Sequence, residues 1–124
     1  FNLKKKSEYT EILGIEAVLK AYWKMIKGIH LYGPTYFAPL LKQFKVWIEN
    51  CPVEKLYHVL LILTDGDVHD LSETVDTIVQ MSSLPVSIII VGLGNENFEK
   101  MEILDGDHGR LIDSWGNLAK KDLV

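Results

Sequence analysis

The sequence predicts an α/β domain built on a parallel, doubly wound sheet, and three observations carry that prediction. The run Tyr57-His58-Val59-Leu60-Leu61-Ile62-Leu63-Thr64 is almost unbroken in its apolar character and stops at Asp65-Gly66. A second run, Val86-Ser87-Ile88-Ile89-Ile90-Val91, is rich in β-branched residues and stops at Gly92-Leu93-Gly94. Between them, apolar residues recur at helical spacing. A run with no polar face reads as a strand buried on both sides, and strand–helix–strand reads as a right-handed parallel crossover.

The elements follow in order. Residues 1–9 read as a lead-in loop. Over 10–27, Ile12, Leu13, Ile15, Val18, Leu19, Tyr22, Trp23 and Ile26 recur at steps of three and four, which predicts an amphipathic helix with Gly28 as its cap. Leu31-Tyr32-Gly33-Pro34-Thr35 is a turn, with Thr35 placed to cap the next helix. That helix spans 36–49 and turns Phe37, Leu40, Leu41, Phe44, Trp47 and Ile48 inward. Pro39 sits in its first turn, where a missing N–H costs little.

Pro52 helps to close this helix before the first strand. Asp70 with Glu73 forms the Asp variant of a capping box for a third helix over 71–82, which presents Leu71, Val75, Ile78 and Val79 to the sheet. Leu84-Pro85 ends it. A short helix follows the second strand over 98–104, then a turn at Asp105-Gly106-Asp107 and a third strand over 108–112. Residues 114–117 read as a loop, and 118–124 as helix or tail.

At 124 residues the chain has room for one domain, and 48% hydrophobic against 24% charged residues excludes a disordered chain. A net charge of −4 argues against a nucleic-acid surface. The basic run Lys4-Lys5-Lys6 reads as a solvated loop. Cys51, the single cysteine, reads as a half-buried thiol at a helix end and fits a reducing compartment. No apolar span reaches 18 residues and no signal peptide opens the chain, so the expected location is cytoplasmic.

One constellation carries chemistry. Thr35 at a helix start and Asp65 at a strand end are predicted on the same rim of the sheet, where open α/β sheets place their ligands. A hydroxyl and a carboxylate are hard oxygen donors suited to Mg²⁺, Mn²⁺ or Ca²⁺. The residues alone also allow Thr35 as a helix cap and Asp65 as a turn residue bonding backbone N–H groups. Asp67 reads as a solvated loop acid. His30, His58, His69 and His108 share no ligand spacing on a helix and read as structural or surface residues.

Two other motifs fall short. Gly92-Leu93-Gly94-Asn95-Glu96-Asn97 is half of a dinucleotide fingerprint and lacks the third glycine, so it reads as a turn. Asp65-Gly66-Asp67 resembles the paired aspartates of haloacid-dehalogenase-type phosphatases. That chemistry needs a lysine, and none lies between Asp67 and Gly94.

Five blocks in order resemble the copine-type von Willebrand factor A domain. They are Gly14-Ile15-Glu16-Ala17-Val18-Leu19-Lys20-Ala21-Tyr22; Leu31 to Thr35 with Phe37-Ala38-Pro39; Tyr57 to Gly66; Leu84-Pro85 to Gly94; and Met101-Glu102-Ile103-Leu104-Asp105-Gly106-Asp107. The resemblance implies a doubly wound sheet with a metal-ion-dependent adhesion site on its rim, in a non-catalytic domain that binds other proteins. It makes Thr35 the threonine of the site's second loop and Asp65 the aspartate of its third. In copines, C2 domains supply calcium-dependent binding to membrane phospholipid, so peripheral membrane association is expected only of a longer protein.

The site's first loop, an aspartate with two spaced hydroxyl residues, has no match before Thr35. Ser7 and Thr10 lie in a polar lead-in. Residues 1–124 therefore resemble the C-terminal part of the domain, with the first strands missing. With two of the family's ligands present, cation binding is expected to be weak or absent. The missing neighbour of the first strand implies a free sheet edge, and with it a homodimer or strand exchange. Within the same fold, the alternative is the A domain of a copine-related RING-type ubiquitin ligase; outside it, a phosphate-transfer enzyme using Asp65.

Overall fold

The computed structural model describes residues 12–30, 32–52, 55–107 and 109–124. The chain forms two compact units, Phe1–Gly33 and Pro34–Val124. In the first, α1 spans Ile15–Ile26. It is amphipathic as its spacing predicts, and the Gly28 N–H closes its last turn on Met25 O at 3.0 Å. The expected start at residue 10 lies outside the described residues, but Ile12 and Leu13, expected within the helix, precede it: α1 begins only after Gly14, whose φ of 81° is not helical.

In the second unit, α2 (Ala38–Glu49), β1 (His58–Thr64), α3 (Leu71–Met81), β2 (Val86–Gly92) and α4 (Glu99–Asp105) follow in order. The strands are parallel, in register from His58 opposite Val86 to Thr64 opposite Gly92, with α3 as the crossover. This is a mixed α/β unit with a two-stranded sheet flanked by helices. Pro39 stands in the first turn of α2, where the ring's fixed φ suits a helix start.

One apolar core joins these elements. Phe37, Leu41 and Ile48 meet Ile62 of β1, Ile78 and Met81 of α3, Val86 and Ile88 of β2, Met101 and Leu104 of α4, and Leu123 near the C-terminus. Leu40 and Trp47, predicted to face inward, instead keep 47% and 41% of their surface exposed. The Trp47 ring still packs edge-on against His58, 5.0 Å between centroids, and stacks on Phe44 at 5.6 Å. His58 is thereby a buried structural residue.

Among the described residues of the second unit, the apolar strands are covered on one face only, which corrects the expectation of burial on both sides. His58, Ile62 and Thr64 are buried, whereas Val59, Leu61 and Leu63 between them are 58%, 56% and 61% exposed. Side chains alternate across a strand, so the core takes one set and leaves the other uncovered. Ile89 and Val91 of β2 extend the same outward face. Continuous hydrophobicity, read as two covers, coexists here with one.

The third strand is also corrected. A single antiparallel bridge, Ile112 to Leu118, replaces it. Its loop is closed by Asp113, whose carboxylate accepts from the backbone N–H groups of Trp115 and Asn117 and from Asn117 Nδ2. The chain turns back on itself here, Leu111 O accepting from Ala119 N–H at 2.8 Å and Asn117 O from Asp113 N–H at 3.0 Å, so the segment pairs locally and adds no strand to the sheet. Residues 119–124 form no helix; Leu123 O instead accepts from Ile88 N–H at 2.6 Å.

Two predictions follow from this packing. A Cβ at Gly92 would lie 2.5 Å from the Phe98 ring, so Gly92→Ala is expected to cost about 1–3 kcal/mol in denaturant unfolding. A smaller cost in a Phe98→Leu background would confirm the ring as the cause. For Asp113, burial alone raises the carboxyl pKa, but the bonds from Asn117, Trp115 and Gly116 outweigh it and hold the group below its usual 3.8. A carboxylate more acidic in the folded state stabilises above its unfolded pKa and loses that contribution as pH falls through the folded one. The Trp115 indole resonance should therefore hold steady near neutral pH and shift only on acidification below the usual carboxylate range.

Candidate functional site

The rim at the carboxyl end of β1 is assembled by Asp70. The residue stands at the N-cap position of α3, yet its carboxylate makes no capping bond to that helix. It turns instead to α2, where Oδ1 accepts from Phe37 N–H at 2.9 Å and Oδ2 from Ala38 N–H at 2.8 Å. Thr74 Oγ1, fully buried, adds a third bond to Oδ1 at 3.2 Å. The first amides of a helix have no partner within it and carry its positive end, so a carboxylate there satisfies both.

This corrects two sequence expectations. The N-cap of α2 is Phe37, with no side-chain cap of its own, so Thr35 caps nothing. Glu73, the other half of the expected capping box, pairs with Lys42 of α2. A cap from a distant loop replaces a local one because the chain brings α3's first residue against α2's start. The same device ties the two helices together.

Thr35 is held to the loop 65–70 by a reciprocal pair of bonds with His69. Its N–H donates to His69 Nδ1 at 3.1 Å, and its carbonyl accepts from His69 N–H at 2.9 Å. With Nδ1 accepting, the ring's proton sits on Nε2, 3.2 Å from Asp67 Oδ2. Among the described residues nothing holds the Thr35 hydroxyl. Structure thus brings Thr35 onto the Asp65 loop, through His69.

Asp65 follows β1 directly. Gly66, at φ 99°, turns the chain away, with its N–H on Thr64 Oγ1 at 3.1 Å. A Cβ on Gly66 would meet the Phe98 ring at 2.7 Å and Asn97 O at 2.9 Å, so only glycine lets the β2–α4 connection approach. The exposed Asp65 carboxylate accepts one long bond, 3.4 Å from Asp67 N–H. Both its oxygens retain lone pairs for a hard cation.

Beside it lies an open pocket of about 360 Å³, lined by Asp65, Gly66, Asp67, Glu96, Asn97, Glu99 and Lys100. Asp67 is no free loop acid: Oδ1 is 3.3 Å from Lys100 Nζ, which also donates to Val68 O at 2.7 Å. Sequence reading missed Glu96, Glu99 and Lys100, which spacing does not connect to Asp65; only the β1–β2 pairing does. Among the described residues no three His, Cys, Asp or Glu side chains are grouped to hold a metal ion. Asp65, Asp67, Glu96 and Glu99 all bring carboxylate oxygens to this pocket, and Thr35 brings a hydroxyl to the neighbouring loop, all of them hard donors.

The family model described as Copine matches residues 1–124. The chain belongs to the copine family. It is 42% identical over 127 residues to Protein BONZAI 1 of Arabidopsis thaliana, an alignment covering 100% of this chain and 22% of that protein. Copine-C of Dictyostelium discoideum is 43% identical over 113 residues, 90% of this chain and 21% of its own length. Nicotinic receptor-associated protein 1 of Caenorhabditis elegans is 40% identical over 116 residues, 93% and 18%. The chain spans about a fifth of the length of these relatives. None of the three names denotes an enzyme. No helix among the described residues of this copine-family chain is long and apolar enough to cross a membrane.

Replacing Asp70 with Ala strips the α2 amides of their acceptor and leaves the Thr74 hydroxyl buried. The variant is expected to lose about 2 kcal/mol of stability in urea unfolding. Glu73→Ala, which removes an exposed ion pair, should lose under about 1 kcal/mol.

Proposed function

We propose that the chain is a non-catalytic protein-interaction module, the C-terminal part of a von Willebrand factor A domain, whose rim presents Thr35 and Asp65 to a divalent cation and to partner proteins. The observation that carries the reading is the Thr35–His69 pair, which seats the hydroxyl residue on the loop of an exposed, nearly unbonded Asp65 carboxylate. Membership in the copine family supports it. Thr35 and Asp65 are the residues that would hold Mg²⁺, Mn²⁺ or Ca²⁺. The ion would offer a positive centre to an acidic group of a partner; the chain's own part is to hold the two oxygens in place. Calcium-dependent phospholipid binding and cytoplasmic, peripheral membrane placement belong in this reading to C2 domains of a longer protein.

The sheet adds a second surface. β1 pairs only with β2 among the described residues, so its other edge offers unpaired backbone groups beside exposed Val59, Leu61 and Leu63. Such an edge recruits another strand. The 124-residue chain is accordingly expected to form dimers through that edge; light scattering showing a single monomer at high concentration would contradict this.

Calorimetric titration with Mn²⁺ tests the rim. Two protein ligands should give weak binding, with a dissociation constant on the order of 1 mM, and Asp65→Asn should weaken it at least tenfold. Equal binding by parent and variant would remove Asp65 from the site.

A further inference from the structure

Asp67 and Lys100 are not accounted for by the proposed cation or partner contacts. The role of Asp67 is visible only in the folded chain. A continuous series of polar links runs through it: Lys100 Nζ of α4 to Asp67 Oδ1, Asp67 Oδ2 to His69 Nε2, and His69 Nδ1 to the N–H of Thr35. The same ammonium donates to Val68 O, while the Val68 side chain is buried in the core at 1% exposure. Loop 65–70 is therefore fixed from below by Val68 and from the side by Lys100.

The charges say what this lysine does. The pocket at the rim is lined by four carboxylates, those of Asp65, Asp67, Glu96 and Glu99, and by one ammonium, that of Lys100. Like charges lining one pocket disfavour one another, and Lys100 is the cation among them, paired with Asp67 at 3.3 Å. We propose that Lys100 is a built-in cation of the rim: it holds loop 65–70 and, through His69, Thr35 in their set positions without a metal ion, and a divalent cation binding there does so against its charge. The second clause rests on the proposed roles of Thr35 and Asp65; the first does not. Lys100 is a positioning residue, since it acts on Thr35 through Asp67 and His69.

The test uses Lys100→Met, which keeps the apolar stem and removes the ammonium. In EDTA, hydrogen exchange of the His69 amide, bonded to Thr35 O, reports opening of the loop. Exchange is expected to be about three- to tenfold faster in the variant, as for loss of a partly exposed ion pair with one charge-assisted bond. Asp67→Asn should also speed it, and the double variant should add less than the sum. Unchanged His69 exchange in Lys100→Met, with global stability intact, would overturn the proposal; so would full additivity of the two changes. Mn²⁺ titration then separates the two clauses. Tighter binding by Lys100→Met than by the parent supports competition, and equal or weaker binding overturns it. Absence of Mn²⁺ binding to both proteins would sink the cation reading of Thr35 and Asp65, and with it the competition, while the exchange result alone decides the clamp.

Discussion

The Asp70 carboxylate is the contact on which the rest of the rim depends. It accepts both leading amides of α2 while its own backbone opens α3, so one residue belongs to two helix starts. Helix ends leave donors unmet, and a buried end without partners is costly. Here that cost is removed by a residue from the other side of the strand. The solution also fixes where the segment before α2 lies, and Thr35 is two residues before Phe37.

From this follows the layout of the site. Once α2 is tethered to α3, the Thr35 backbone meets His69 in both directions, which ties the loop between β1 and α3 to it. Gly66 and Gly92 then admit the Phe98 ring, which brings the β2–α4 connection, with Glu96 and Glu99, beside Asp65. The rim is thus the product of three loops held by short polar links over a core that packs beneath them.

Much of this was legible in the sequence, and the misses share a cause. The positions of α2, α3, β1, β2 and α4 follow from local periodicity, and the parallel pairing follows from their alternation. Asp65 at the end of β1 and Thr35 near the start of α2 were found because strand and helix termini are local signals. The Asp70 cap was misassigned because Glu73 lies at capping-box spacing; sequence cannot show that a closer claim comes from amides 33 residues away. The buried-on-both-faces reading of β1 failed for a similar reason, since hydrophobicity records what a strand can bury and not what covers it. Residues 109–112 failed as a strand because the turn at Asp113 folds the chain back, so that Leu111 and Ile112 pair with Ala119 and Leu118 and not with the sheet.

Local amide protection tests the central claim most directly, that Asp70 organises the rim and does more than add stability. In Asp70→Asn, which preserves shape and removes charge, exchange at Phe37 and Ala38 is predicted to rise together with that at His69, whose amide bonds Thr35 and not α2, while the centre of α3 keeps its protection. Faster exchange at Phe37 and Ala38 with His69 unaffected would contradict the account, showing that Thr35 and the Asp65 loop hold their places without it.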